Sequence, residues 1–439
     1  MQLFARMLNM FISFEVSNHR SILDKVELSM VAVDKNRVGT RPFVTLKEEL
    51  LTVAGIYGPN ASGKSNLLDA ISWVSNAVRQ SVRGWDDLIP RDPFKFDPGP
   101  GLSSTYVVKM VVDGVRYDYS LELDQTEVIF ESLYGYPERR KRILFERNRQ
   151  DIRLRRGKSL SLGIRELATP TTLVLSAAMR LKEPEIERIA RAISKIDFLG
   201  DYRNPYSTSF RQNALSVIPT IRIFDDDGPL ILQDTGGDEG EKLNQGLKET
   251  ALELLRVADF GIEDVELKKE KHETIESGRF LPRSLQLTHK GQAQTLPFDF
   301  SDESSGTQLW FKLIGPILNV LRTGRTLLLD ELGLSLHPQL TYHLIEIFQD
   351  IETNPLGAQL IFTSHDTNIL GYLNRDEVWL TEKNESGSTS LIALAEYGGE
   401  KVRQSANIER AYLQGRFGAV PEISSYDFRR VLSEKKVDD

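Results

Sequence analysis

The segment Gly58-Pro-Asn-Ala-Ser-Gly63-Lys64-Ser65 follows the spacing G-x-x-x-x-G-K-[ST]. Glycines at its ends let backbone N–H groups turn inward, and a helix opening at the lysine adds its N-terminal dipole. Such a loop cradles phosphate oxygens. Gly58, Pro59, Asn60, Ala61, Ser62 and Gly63 would form the cradle, with Asn66 closing it. Lys64 would reach the β- and γ-phosphates of a nucleoside triphosphate such as ATP, and the Ser65 hydroxyl would ligate Mg²⁺. A chance glycine turn is the alternative, and the flanking sequence on both sides speaks against it.

Three further groups carry matching chemistry. Asp330-Glu331 follows the apolar run Thr326-Leu-Leu-Leu329. There one carboxylate can hold Mg²⁺ through water, and the next can polarise the attacking water. Asp330 is therefore the metal candidate and Glu331 the general base; in isolation, such a pair is also an ordinary solvated turn. Ser364-His365-Asp366 ends another apolar run. A neutral imidazole at that point can hydrogen-bond a γ-phosphate or the attacking water. A lone histidine is usually inert, and only its place downstream of the acidic pair argues otherwise. Glu303-Ser304-Ser305-Gly306-Thr307-Gln308 precedes a helical pattern. A hydroxyl and a glycine at a helix N-terminus make an anion-binding end, or simply a serine N-cap.

The surrounding pattern predicts the elements that position these groups. Leu51–Tyr57 is a near-continuous apolar run, as in a strand buried on both faces. Leu67, Ile71, Val74 and Val78 recur at helical spacing after the glycine loop. Strands are expected across 9–57, and short β-runs from about 100 to 165, where Asp113-Gly114 signals a hairpin. Residues 180–265 read as mostly helical, broken by an Asp/Gly-rich loop at 234–240. Helices are expected over Leu309–Leu321 and Leu340–Phe348, with strands at 326–330 and 359–364. No sustained heptads occur, so long coiled-coil arms are not expected.

Bulk properties set the frame. The 439 residues suffice for one composite domain or two lobes, and hydrophobic (40%) and charged (27%) contents are those of globular chains. No apolar run approaches a membrane span, and the N-terminus lacks a small-residue cleavage site. The absence of cysteine excludes disulfides, Cys-zinc sites and thiol nucleophiles, and fits a cytoplasmic protein. A net charge of −8 argues against a protein that coats nucleic acid throughout.

The order of the four elements resembles that of ABC-type ATPase heads: Walker A, a serine-glycine signature, Walker B and a switch histidine. Asn60–Asn66, Ser304–Thr307, Asp330-Glu-Leu-Gly-Leu-Ser-Leu-His-Pro338 and Thr363–Asp366 are similar to the SMC/RecF/OLD-like branch. Within it they most resemble RloA-type AAA family ATPases of bacterial anti-phage loci, relatives of the AriA subunit of PARIS. Phe14–Ser21 and Tyr412–Pro421 extend the likeness toward both ends.

The resemblance implies an α/β P-loop NTPase of the ABC-head type, with an antiparallel β subdomain and a helical insertion. It divides the chain into lobe I (1–170), an insertion (171–265), lobe II (266–400) and a tail (401–439). It further implies that Lys64 and Ser65 bind phosphate and Mg²⁺, Asp330 supports the metal, Glu331 activates water and His365 is the switch. Ser304, Ser305 and Gly306 would cap the nucleotide of a second copy in a homo-oligomer, with Ser335 facing that copy. Arg20 would lie near the nucleotide, or be an exposed strand-end arginine. Glu303 and Thr307 depart from the usual signature, and no Q-loop glutamine is evident near Pro93–Asp97.

Weaker features stay open. Arg139–Arg142, Arg147, Arg149, Arg153, Arg155, Arg156 and Lys158 form a basic stretch that suits either a nucleic-acid groove or a solvated hairpin. Asp225–Asp227 reads as a polar turn, and His272, His289 and His343 show no metal spacing with one another. The functional expectation is a nucleotide-dependent switch in anti-phage defence controlling a separately encoded effector, with a nuclease among the candidates. Too few residues follow Tyr397 for an appended catalytic domain of ordinary size. A RecF-like ATPase that binds DNA directly is the alternative.

Overall fold

The central strands owe their place to mostly apolar sequence. Val53–Tyr57, Thr326–Leu329 and Gln359–Thr363 are buried at every position, as a sheet covered on both faces requires. The computed structural model describes residues 9–43, 47–154, 162–200, 217–225, 238–268, 284–397 and 408–419. In it these strands lie in a six-stranded sheet, ordered Asp197–Leu199, Thr326–Leu329, Gln359–Thr363, Val53–Tyr57, Val378–Lys383, Thr389–Ala393. The first five run parallel, and the last is antiparallel.

Side-chain alternation assigns each face of this sheet to its own core. Ala54, Ile56, Leu328 and Ile361 pack with the helix Lys64–Gly84 and with a second, seven-stranded antiparallel sheet. Trp73 of that helix stacks on Tyr106 of the second sheet, 4.7 Å between centroids. Val53, Leu327, Leu329, Leu360 and Phe362 face the other way, onto helices Ser305–Thr323 and Pro338–Gln349. The fold is α/β. In the antiparallel sheet, Ser104–Val112 and Val115–Leu123 form the expected hairpin, whose turn residues Asp113 and Gly114 both have positive φ (49° and 80°).

Two expectations need correction. The mostly helical reading of 180–265 holds for Pro184–Ser194, Ile218–Phe224 and Asp238–Ala258. However, Asp197–Leu199 supplies the edge strand beside Thr326–Leu329, and Ile262–Lys268 opens a three-stranded antiparallel sheet. A three-residue strand is too short to show periodicity. The expected loop at 234–240 gives way at Asp238 to helix, while 234–237 lie outside the described residues. The helix read from Leu309 begins at Ser305 and stops at Gly324, whose φ of 63° suits a glycine C-cap. Among the described residues the longest helices span 21 residues, and no helix is long and apolar enough to cross a membrane.

Candidate functional site

Three neighbouring parallel strands end side by side, and each ends in one of the chemical elements. Val53–Tyr57 runs into the glycine loop, Gln359–Thr363 into Ser364-His365-Asp366, and Thr326–Leu329 into Asp330-Glu331. This is the carboxyl edge at which open α/β sheets bind ligands.

The glycine loop is built as its sequence demands. Gly58 (φ 152°) and Gly63 (φ 108°) occupy backbone regions that L-residues rarely adopt. A Cβ on Gly58 would fall 2.4 Å from the carbonyl oxygen of Thr381, and one on Gly63 2.1 Å from Thr389 Oγ1. Lys64 is buried and its Nζ donates to the carbonyls of Gly58 and Pro59, both at 2.9 Å. Burial pulls its ammonium down to about 8, while the carboxylates of Asp330 and Glu331 hold it up. The first-turn N–H groups beginning at Lys64 are those a helix leaves for an anion.

The acidic pair meets the loop directly. Ser65 Oγ donates to Asp330 Oδ1 at 2.9 Å across 265 residues of sequence. Thr363 Oγ1 donates to the same oxygen at 2.5 Å. Glu331 is exposed and has φ 59°, a left-handed backbone conformation uncommon for a residue with a side chain. His365 is also exposed. Partial burial and the Lys64 ammonium hold its pKa below the ordinary imidazole value, against Glu331 and Asp330, so the ring is neutral at pH 7. The structure thus gathers Lys64, Ser65, Asp330, Glu331 and His365 in one place. Ser65 and Asp330 offer oxygen ligands only, a hard set suited to Mg²⁺, and the cationic loop suits a polyphosphate.

Other residues back the loop from behind, and sequence reasoning missed their roles. Thr389 Oγ1 donates to the Ser62 carbonyl at 2.8 Å and contacts Ser21 Oγ at 2.7 Å. Asn66 Nδ2 donates to Ser21 Oγ at 2.6 Å, and Ser62 Oγ meets Thr381 Oγ1 at 2.6 Å. Isolated hydroxyls leave no sequence signal: Thr389 lies on an edge strand, Thr381 on the strand beside it and Ser21 in a turn. Arg20 ion-pairs with Asp69 of the loop helix at 2.9 Å and with Asp92 at 3.4 Å. His19 is fully buried between Asp69 and Tyr106. Asp69 ties both to the helix Lys64–Gly84.

Ser304 caps its helix: its Oγ accepts from the Thr307 N–H at 3.1 Å. Ser305 is the first helical residue and is exposed. A Cβ on Gly306 would lie 3.1 Å from the Ser335 carbonyl oxygen, so the signature turn and the segment after Glu331 share one surface. Glu303, the departure from the usual signature, accepts from His289 Nε2 at 2.8 Å, which ties the turn to strand Ser284–Lys290. His289 was read as lacking metal spacing to other histidines. In space it converges with Asp259 and Glu303, their ligand atoms within 4.8 Å of one another. The partners are carboxylates on separate elements, which histidine spacing does not detect. His272, Asp226 and Asp227 lie outside the described residues.

Part of the basic stretch is buried or paired. Arg147 is fully buried and donates to the carbonyls of Arg149, Thr169 and Thr172. Arg142 pairs with Glu185, Arg149 with Glu127 and Arg153 with Asp151. Lys141 sits over the Tyr134 ring. Arg155, Arg156 and Lys158 lie outside the described residues. The Pro93–Asp97 segment packs on the turn before Ser21, where the Phe94 N–H donates to Asn18 Oδ1.

Comparison with known proteins follows this geometry. No curated protein matches the chain. Among solved structures, an SMC head bound to the C-winged helix domain of ScpA is 14% identical with a TM-score of 0.45, covering 87% of this chain and 97% of that one. The SMC head domain from Thermotoga maritima is 12% identical at a TM-score of 0.40, covering 87% and 98%. The sequence profile described as "AAA domain, putative AbiEii toxin, Type IV TA system" matches residues 53–371, about three quarters of the chain, from the strand before the glycine loop to just past His365. The chain belongs to this family of AAA-domain proteins.

Proposed function

We propose that the protein binds ATP with Mg²⁺, hydrolyses it, and works as a head-to-head nucleotide switch of the ABC type in bacterial defence. The observation that carries this reading is the 2.9 Å contact between Ser65 Oγ and Asp330 Oδ1, with Lys64 beside it. Bound Mg²⁺·ATP would supply the phosphoryl group and the charge neutralisation for its transfer. Lys64 exchanges the carbonyls of Gly58 and Pro59 for phosphate oxygens. Ser65 and Asp330 would hold the cation. Glu331, exposed at the turn, takes the proton from the attacking water. Neutral His365 offers a hydrogen bond to the phosphate or the water. Ser304, Ser305 and Gly306 of a second copy close the site, and Ser335 on the same surface faces that copy.

The family description names an AbiEii toxin and a Type IV toxin–antitoxin system, which supports a place in abortive infection of a bacterial cytoplasm, with a separately encoded effector as partner. The pairing of the hairpin cations gives no support to the alternative of direct DNA binding.

The test is ATP binding and phosphate release by the full chain, beside Lys64→Ala and Glu331→Gln. Lys64→Ala should abolish binding; Glu331→Gln should keep binding and lose turnover by roughly 100-fold or more. Unchanged phosphate release from Glu331→Gln would remove Glu331 as the base. Co-purification with the product of the neighbouring gene, and a phage-challenge phenotype, test the switch role.

A further inference from the structure

One side chain at the site touches both acidic residues. Thr363 ends the central strand and is fully buried. Its hydroxyl donates to Asp330 Oδ1 at 2.5 Å and accepts the Glu331 N–H at 2.8 Å. A threonine hydroxyl has one proton and two lone pairs, so both bonds form in a single orientation. The β-branch restricts that orientation further, because χ1 is stiff. The Thr363 carbonyl accepts the Leu332 N–H at 2.8 Å, which fixes the turn on its other side.

These bonds hold two features that would not hold themselves. Glu331 sits at φ 59°, a conformation that persists only where neighbours impose it. Asp330 Oδ1 receives two donors, Ser65 Oγ and Thr363 Oγ1, and only the latter is independent of the glycine loop. The same strand end continues into His365. Ser364 Oγ donates to the Leu332 carbonyl at 2.7 Å and accepts the Asp366 N–H at 3.0 Å, so the histidine segment is laced to the Glu331 turn.

We propose that Thr363 is the positioning residue of the hydrolytic centre: its hydroxyl sets the Asp330 carboxylate and the Glu331 backbone together, and couples both to the His365 segment. This rests on reading Asp330 as the metal-side carboxylate and Glu331 as the base. Thr363 does not hydrogen-bond the glycine loop directly, so the effect of losing its hydroxyl falls on turnover rather than on nucleotide capture.

The experiment compares Thr363→Val, Thr363→Ala and Thr363→Ser with the unaltered full chain, by ATP binding, steady-state ATPase kinetics and thermal melting. Valine keeps the shape, while alanine and serine differ from each other only in the hydroxyl. Should valine fail to fold, the alanine–serine pair carries the test. The expected result is a kcat reduced about 10- to 100-fold in Thr363→Val and Thr363→Ala, with ATP affinity within threefold of the unaltered chain. Thr363→Ser should recover kcat to within threefold. Hydroxyl-free variants with kcat within twofold of the unaltered chain overturn the inference and leave the ATPase reading standing. Equal losses in Thr363→Ser and Thr363→Ala overturn it too, by tracing the effect to the missing methyl. If the unaltered chain binds ATP without hydrolysing it, the underlying reading has failed instead.

Discussion

Gly63→Ala places a methyl group where the structure has no room for one. The new Cβ would fall 2.1 Å from Thr389 Oγ1, 2.7 Å from Thr389 Cγ2 and 2.9 Å from Ser21 Oγ. Thr389 must then retreat by roughly 1 Å or more to reach ordinary contact, and the bonds it makes to Ser62 O and Ser21 Oγ cannot survive. The backbone at φ 108° adds about 1–3 kcal/mol of strain for any L-residue. Overpacking adds about 1–3 kcal/mol, and each lost hydrogen bond about 1 kcal/mol. Because the terms share atoms they do not simply add, and a local penalty of about 3–6 kcal/mol is the working figure. If the loop escapes the clash by opening, ATP affinity should fall about 100-fold or more, since about 1.4 kcal/mol is tenfold. If it stays closed, the penalty appears as a lower melting temperature. Titration with a fluorescent ATP analogue and thermal melting together capture both routes. The double variant Gly63→Ala/Thr389→Ala should recover part of the loss, because the smaller side chain vacates the contact. Affinity within threefold and unchanged melting in Gly63→Ala would refute the steric argument, as would a double variant equal to the sum of the singles.

Further predictions concern the cap, the buried ion pair and acid stability. Ser304→Asp keeps a good N-cap, so melting should change by less than about 0.5 kcal/mol equivalent, yet ATPase activity should fall sharply because a carboxylate would face the γ-phosphate of the partner's ATP; full activity in a well-folded variant would remove Ser304 from the site. Arg147→Met strips the cation beside fully buried Glu131, whose carboxylate also accepts the N–H groups of Val174 and Leu175, and should cost about 3–5 kcal/mol in chemical denaturation; a loss below about 1 kcal/mol would refute the pairing. A hydrogen bond from Arg375 holds the Asp34 carboxyl below its ordinary value of 3.8. Its stabilisation is therefore present above that pH and is lost as pH falls through the lowered folded value. The melting advantage over Asp34→Asn should be constant from pH 7 down to about 4 and shrink below it; a constant difference at all pH values would count against the pairing.

The sequence was most legible where chemistry and periodicity coincide. Glycines at 58 and 63 must take unusual φ, and the fully buried, mostly apolar strands before the loop, before Asp330 and before Ser364 admit few placements. Their juxtaposition across 265 residues was readable only through the order of the elements. What escaped was the supporting layer. Thr381, Thr389 and Ser21 act through single hydroxyls whose partners lie hundreds of positions away, and no local pattern records such pairs. The Asp259, His289 and Glu303 convergence escaped for the same reason. Within the basic stretch, Arg147 counts as a surface charge in composition but folds into the interior.

The strand before the glycine loop pairs with Gln359–Thr363 on one side and Val378–Lys383 on the other, both roughly 300 residues further along the sequence. During translation it must wait for roughly 300 further residues, about 15–60 s at bacterial elongation rates. Its two hydrogen-bonding edges stay unpaired and its apolar faces uncovered throughout, a period in which chaperones would be needed. A ribosome-stalled or prematurely terminated product ending before residue 359 should therefore be inert towards nucleotide rather than weakly active.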